Sequence, residues 1–130
     1  LKTSPAETTD TMETNPTTVP MDLPALREML GGSDDLVGII LGKFRPEIEA
    51  DISQLQVLVE ADDIDAEAVR SLAHRLKGSC SNTKTMPMAE IAQALQFSMA
   101  GGDLVTSKPL VEALVTEHAR LEEYLGQQGY

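Results

Sequence analysis

Residues 37–59 read VGIILGKFRPEIEADISQLQVLV, and the spacing of their apolar side chains decides the fold class. Val37, Leu41, Phe44, Ile48, Ile52, Leu55 and Val59 recur at three- and four-residue steps. A helix turns by about 100° per residue, so these positions form one stripe along one face. A half-buried strand needs alternation at every second residue, and no stretch of useful length shows it. Pro46 lies off the stripe, with Gly42 four residues before it, where proline leaves a carbonyl without its helical partner. The pattern predicts one long helix kinked at Pro46, with two shorter helices as the alternative.

The same reading extends in both directions. Upstream, Ser33 is an N-cap for this helix, and Asp34 and Asp35 suit the positive end of its dipole. Before that, Asp22 caps a short helix over Leu23–Leu30 that Gly31 and Gly32 end. Downstream, Asp62, Asp63 and Asp65 mark a turn and cap. A third helix runs from about Ala66 to Ser81 on Val69, Leu72, Ala73, Leu76 and Cys80. A fourth spans Pro87 to Ala100, with Met88, Ile91, Ala92, Leu95 and Met99 inward, and Gly101-Gly102 ends it. A fifth begins near Lys108 or Pro109 and uses Leu110, Leu114, Leu121 and Leu125. With connections this short, the expected fold is all-α: an antiparallel four-helix bundle with an additional short N-terminal helix.

Composition bounds the rest. The 130 residues suffice for one domain, and 42% are hydrophobic but only 3% aromatic, so the core must be aliphatic. Residues 1–21 are rich in Thr and Pro and read as a flexible linker, leaving residues 22–130 as the domain. A net charge of −11 argues against nucleic acid or an anionic membrane as partner. One cysteine, Cys80, excludes an internal disulfide and a cysteine-based zinc site, and its inward position makes it core. No apolar run approaches the roughly 20 residues of a membrane span. Met86, Met88 and Met99 read as bundle packing, and no sustained heptad seam argues for a dimer, so a monomer is expected.

The informative stretch within this frame is Ser71-Leu72-Ala73-His74-Arg75-Leu76-Lys77-Gly78-Ser79. On the helical wheel His74 falls roughly 140° from the centre of its helix's apolar stripe, flanked by Lys77 and Gly78. It should therefore face solvent. A neutral imidazole carries a nucleophilic nitrogen near neutral pH. Lys77, one turn on, sets an ammonium beside any phosphoryl group on His74. Gly78 costs up to about 1 kcal/mol in a helix interior, a cost that makes sense if another protein must approach closely. From Glu47 to Glu67 there are eight acids and no base; from Arg70 to Lys84 there are Arg70, Arg75, Lys77 and Lys84 and no acid. A locally basic patch on an acidic chain suits a phosphoryl group or an acidic partner pocket.

The run Ala73-His74-Arg75-Leu76-Lys77-Gly78-Ser79 resembles the signature of the histidine phosphotransfer (HPt) family, Ala-His-x-Leu-Lys-Gly-Ser/Ala. Leu30-Gly31-Gly32-Ser33-Asp34-Asp35-Leu36, Phe44-Arg45-Pro46-Glu47 and Gly101-Gly102-Asp103 extend the resemblance over roughly residues 22–125. It implies a phosphorelay intermediate that takes a phosphoryl group from the aspartate of one receiver domain and passes it to another. Carried over, His74 is the acceptor, Lys77 its electrostatic neighbour and Gly78 the clearance position. The implied carrier has no ATP-dependent kinase activity and no cofactor of its own; the divalent metal belongs to the receiver. Arg70, Arg75, Ser81 and Ile39 are assigned to the receiver-docking surface, with Leu36 and Ile40 packing against the first helix. The Thr/Pro-rich leader and the start at Leu1 read as the C-terminal domain of a hybrid sensor kinase, a cytoplasmic domain tethered through that kinase to the inner membrane; a free-standing carrier is the alternative. One departure stands out: many members have glycine ten positions after the histidine, where this chain has Lys84, and Asn82 is expected to supply the left-handed turn instead.

Two competing readings share the helix pattern. One is a helical interaction module in which His74 is incidental. The other is the dimerising helix pair of a histidine kinase, which usually follows its histidine with an acid; Arg75 follows here. The second histidine, His118, lies beside the Leu114, Leu121, Leu125 stripe near Glu117 and Glu122 and reads as a boundary residue with a hydrogen bond.

Overall fold

The structure, a computed structural model, describes residues 18–130. Five helices follow in order: α1 (Leu23–Met29), α2 (Asp34–Glu60), α3 (Ala66–Asn82), α4 (Met86–Ala100) and α5 (Ser107–Gln127). The described residues contain no strand. The short connections between α2, α3, α4 and α5 make successive helices antiparallel, and α5 closes the bundle by packing back on α2. The ion pairs Arg45–Glu122 and Lys108–Glu60 fix that closing contact in an antiparallel register. α1 sits across the end where α2 begins.

The expected caps account for the starts of three helices. Asp22, Ser33 and Asp65 each accept a hydrogen bond at 3.1 Å from the backbone N–H three residues on, at Ala25, Leu36 and Ala68. α2 is one helix with Pro46 inside it, so the single-helix reading holds and the split into two does not. All seven stripe residues of α2 and all five of α3 are buried. Fully buried Leu, Ile and Val side chains contribute about 1.5–3 kcal/mol each, far more than any single surface ion pair, so the stripes hold the bundle together. Packing also starts earlier than the read boundary: Pro20 and Met21 are buried, and Arg120 donates to the Thr18 carbonyl at 2.8 Å. The remainder of the segment read as a linker, residues 1–17, lies outside the described residues.

Some details differ from the sequence expectation. Met86 is 45% exposed, because as the first residue of α4 it precedes the turn that faces inward. Leu36 is 43% exposed and does not pack as expected, whereas Ile40 is half-buried. His118 is at the boundary as read, but its Nε2 stands 3.9 Å from Glu122 with no hydrogen bond among the described residues. Arg45 holds that carboxylate instead, at 2.6 and 3.2 Å.

The turn after α3 resolves the question of Lys84. Asn82 is still helical, and Lys84 itself takes the left-handed conformation at φ 60°. The reason lies in the hydrogen bonds. Thr85 N–H donates to the Cys80 carbonyl at 2.8 Å and Lys84 N–H to that of Ser81 at 3.2 Å, a Schellman pattern that needs a left-handed residue at Lys84 and nowhere else. α1, α4 and α5 end in the same pattern with Gly31, Gly102 and Gly129 at that place. Lys84 is held there by its carbonyl, which accepts from Asp22 N–H at 2.8 Å, and by the buried Thr83 and Thr85 hydroxyls, 2.8 Å apart. A side chain in this region costs about 1–2 kcal/mol, part of which glycine gives back through its freer unfolded chain. Lys84→Gly should therefore stabilise the protein by about 0.5–1 kcal/mol in urea unfolding; a loss of stability would show that the lysine side chain supports the turn.

Candidate functional site

His74 sits in the middle of α3, eight residues from either end, and is exposed. The buried stripe of α3 fixes the rotation of the helix, and that rotation puts the imidazole outward. Ala73 and Leu76, both fully buried, anchor the helix on either side of it. The histidine has no hydrogen-bond partner among the described residues, so its ring is open to an incoming group.

Two flanks frame it. On one, Lys77 is half-buried and forms no ion pair among the described residues. Its ammonium is therefore available to a phosphoryl group one helical turn away. Gly78, on the other side of the imidazole from Lys77, is exposed, and a Cβ placed there would meet nothing within 4 Å. The fold itself does not require this glycine.

The other flank faces α2 and corrects the picture of a purely basic patch. Arg75 donates to Asp51 Oδ1 at 2.5 Å, and Ser79 donates to Glu47 at 3.5 Å. Arg70 forms a two-pronged bond with Glu67 at 2.6 and 3.0 Å. Two of the four cations counted in the sequence are thus already paired, Arg75 by an acid of α2 and Arg70 by Glu67 three residues earlier on α3 itself. These bonds hold both guanidinium groups above their ordinary pKa, and the Arg70 bond holds the Glu67 carboxyl below its own. Ser81 is half-buried.

Asp51 is the residue that sequence reasoning missed. It is 2% exposed, one position from the stripe residue Ile52, and its second oxygen, Oδ2, has no partner among the described residues. A wheel shows that Asp51 borders the apolar stripe; it does not show which helix packs there. Beneath the site, Cys80 is buried, and desolvation, with help from Asp51 and Glu47, pushes its thiol up to about 12. It is a core residue, as expected.

Ile39 is 59% exposed but far from the histidine. The Arg75–Asp51 and Ser79–Glu47 contacts set the register of α2 on α3 and place His74 level with Ile52. Thirteen residues at 1.5 Å each then separate the levels of Ile39 and His74 by about 20 Å. Among the described residues no cluster of three His, Cys, Asp or Glu could hold a metal ion, and no helix is long and apolar enough to cross a membrane.

An antiparallel bundle that presents one open imidazole at mid-helix, with a lysine and a bare backbone beside it, defines a class of phosphohistidine carrier folds. Comparison with known proteins agrees. The family model described as the Hpt domain matches residues 39–124, about two-thirds of the chain. The chain belongs to the Hpt domain family. Its bundle is similar to the crystal structure of histidine-containing phosphotransfer protein B (HptB) from Pseudomonas aeruginosa PAO1, at a TM-score of 0.73 and 26% identity. That match covers 85% of this chain and 96% of the other. No curated protein matches the chain. The role of the domain is histidine phosphotransfer in a two-component phosphorelay, and its partners are receiver domains.

Proposed function

We propose that His74 is the phosphoryl acceptor, that Lys77 balances the charge of the phosphoryl group, and that Gly78 leaves the space a receiver needs. The observation that carries this reading is the open surface around His74 on an otherwise well-packed helix. In the forward step the lone pair of the unprotonated ring nitrogen attacks the phosphorus of a receiver's aspartyl phosphate. The P–N bond forms as the P–O bond to the aspartate breaks, and the aspartate leaves as a carboxylate with the bonding pair. The proton on the other ring nitrogen passes to solvent. Transfer onward is the reverse: a second receiver's carboxylate oxygen attacks phosphorus, and the P–N pair returns to the ring, which regains a proton. Lys77 acts by placing positive charge where the transferred oxygens accumulate negative charge.

The receiver brings the divalent metal, and this chain works as a monomer without a cofactor, ATP or direct membrane contact. The acidic surface, with a net charge of −11, supports the last point. Arg70, Arg75 and Ser81 lie within two turns of His74 and belong to the docking face. Ile39, about 20 Å along the bundle, lies beyond the roughly 16 Å that a standard footprint of about 800 Å² per partner reaches from His74, so it joins the docking face only with a receiver whose footprint is larger than standard. The test is to incubate the protein with a phosphorylated receiver domain and separately with ATP. Label appears with the first and not with the second, and it is acid-labile and alkali-stable, as a phosphoramidate bond must be. Label from ATP alone would overturn the reading.

Gly78 gives a sharper check because the chain itself has no need of it. Gly78→Ala should stabilise the protein by up to about 1 kcal/mol through helix propensity. Gly78→Gln should fold equally well and take label from the small donor phosphoramidate, yet exchange with a receiver at least ~10-fold more slowly because of the bulk at the contact. Equal exchange rates would release Gly78 from the interface.

A further inference from the structure

The Asp51–Arg75 pair is built in a way that stability alone does not explain. Asp51 is 2% exposed and, among the described residues, only one of its two oxygens has a partner, while the Arg75 side chain is 62% exposed. A buried carboxylate with an unpartnered oxygen is a cost, and an apolar residue beside Ile52 would pack more favourably. What the arrangement does achieve is orientation. Arg75 follows His74 directly, about 100° round the helix, on the flank opposite Lys77. A lone arginine on a helix surface samples many rotamers. Here one nitrogen, Nη2, is held at 2.5 Å by a carboxylate that the core itself fixes, and the other donors of the guanidinium remain outside. The pair is neutral as a whole, yet its positive end points outward beside the reactive ring. Its influence is therefore one of short range and fixed geometry, and long-range steering plays little part.

We infer that Asp51 is a positioning residue for the phosphotransfer reaction: it holds Arg75 as a preorganised donor for the acidic rim of the receiver's phosphorylation pocket. This rests on the proposed role of His74. Arg75 and Lys77 then grip the incoming receiver from two sides of the imidazole. Arg75 meets the partner, and Lys77 meets the phosphoryl group. Holding the guanidinium in advance spares the ordering entropy of a long side chain when the complex forms.

The test must separate docking from folding, because removing Arg75 alone strands a buried charge. Asp51→Asn keeps the shape, and the double variant Asp51→Asn/Arg75→Gln replaces the ion pair with a neutral one and leaves the net charge unchanged. Each protein is loaded on His74 with phosphoramidate, then discharged by a purified receiver domain chosen because it discharges the wild-type phosphoprotein. Asp51→Asn should raise the KM for the receiver by ~3-fold and the double variant by ~10-fold, with kcat, phosphoramidate loading and melting temperature near wild type. Arg75→Lys, with charge but no planar fork, should fall between them. A double variant with wild-type KM would reduce the pair to a structural contact and overturn the inference. A wild-type protein that takes no label on His74 would instead overturn the underlying reading.

Discussion

Replacing His74 with glutamine should abolish phosphoryl labelling and leave the bundle as stable as before. The loss is complete because no other described side chain offers the same chemistry at this face. His118 is 22% exposed and stands against Glu122 on α5, and Cys80 is buried with its thiol pushed up to about 12. Glutamine keeps a polar side chain of similar reach but has no nucleophilic nitrogen. Its helix propensity equals or exceeds that of histidine, and the exposed position makes no core contact, so unfolding should shift by less than about 0.5 kcal/mol. Parallel labelling by a phosphorylated receiver and by phosphoramidate, with a urea melt of each protein, checks both halves. Residual label on the variant would place the acceptor elsewhere.

Arg75→Ala should have the opposite profile, a large effect on stability from a residue that is mostly exposed. Asp51, 2% exposed, would lose the donor to its Oδ1 and be left without a partner among the described residues. Stranding one member of a buried pair costs about 3–5 kcal/mol, and the open side of Arg75 admits some water, so the expected loss is about 2–4 kcal/mol. Asp51→Asn/Arg75→Ala should recover most of it, because an unpaired amide is far cheaper to bury than an unpaired carboxylate. Urea unfolding of the single and double variants decides the matter. A fall of less than about 0.5 kcal/mol in the single variant would mean that Asp51 is solvated and that the pair carries little energy.

These two residues are neighbours in sequence, and their contrast shows how far the sequence could be read. His74 was legible because its exposure depends only on its own helix: Val69, Leu72, Ala73, Leu76 and Cys80 orient that helix, and the wheel does the rest. The same local logic recovered the caps at Asp22, Ser33 and Asp65 and the seven-residue stripe of α2. Arg75 was legible only as a cation. That its charge is matched by Asp51, twenty-four positions earlier, follows from the register of α2 on α3. The sequence could place the acids of Glu47–Glu67 and the bases of Arg70–Lys84 in separate blocks; folding lays one block against the other, so that a patch that looked basic becomes partly paired.

Lys84 marks the same limit at a turn. Composition favoured Asn82 for the left-handed position, but the position is set by where the Cys80 and Ser81 carbonyls find their donors. Ile39 marks it on the surface, exposed as the wheel placed it but about 20 Å along the bundle from His74. What the sequence determined by itself is whatever depends on periodicity within a helix: the number of helices, their buried faces, and an imidazole facing water beside Lys77 and Gly78. What only the tertiary structure decided is whatever depends on the packing of one helix on another, because register and pairing are set by the fit of two side-chain surfaces and neither surface is written in one segment alone. The charge around His74, the buried hold of Asp51 on Arg75 and the distance of Ile39 all belong to that second kind.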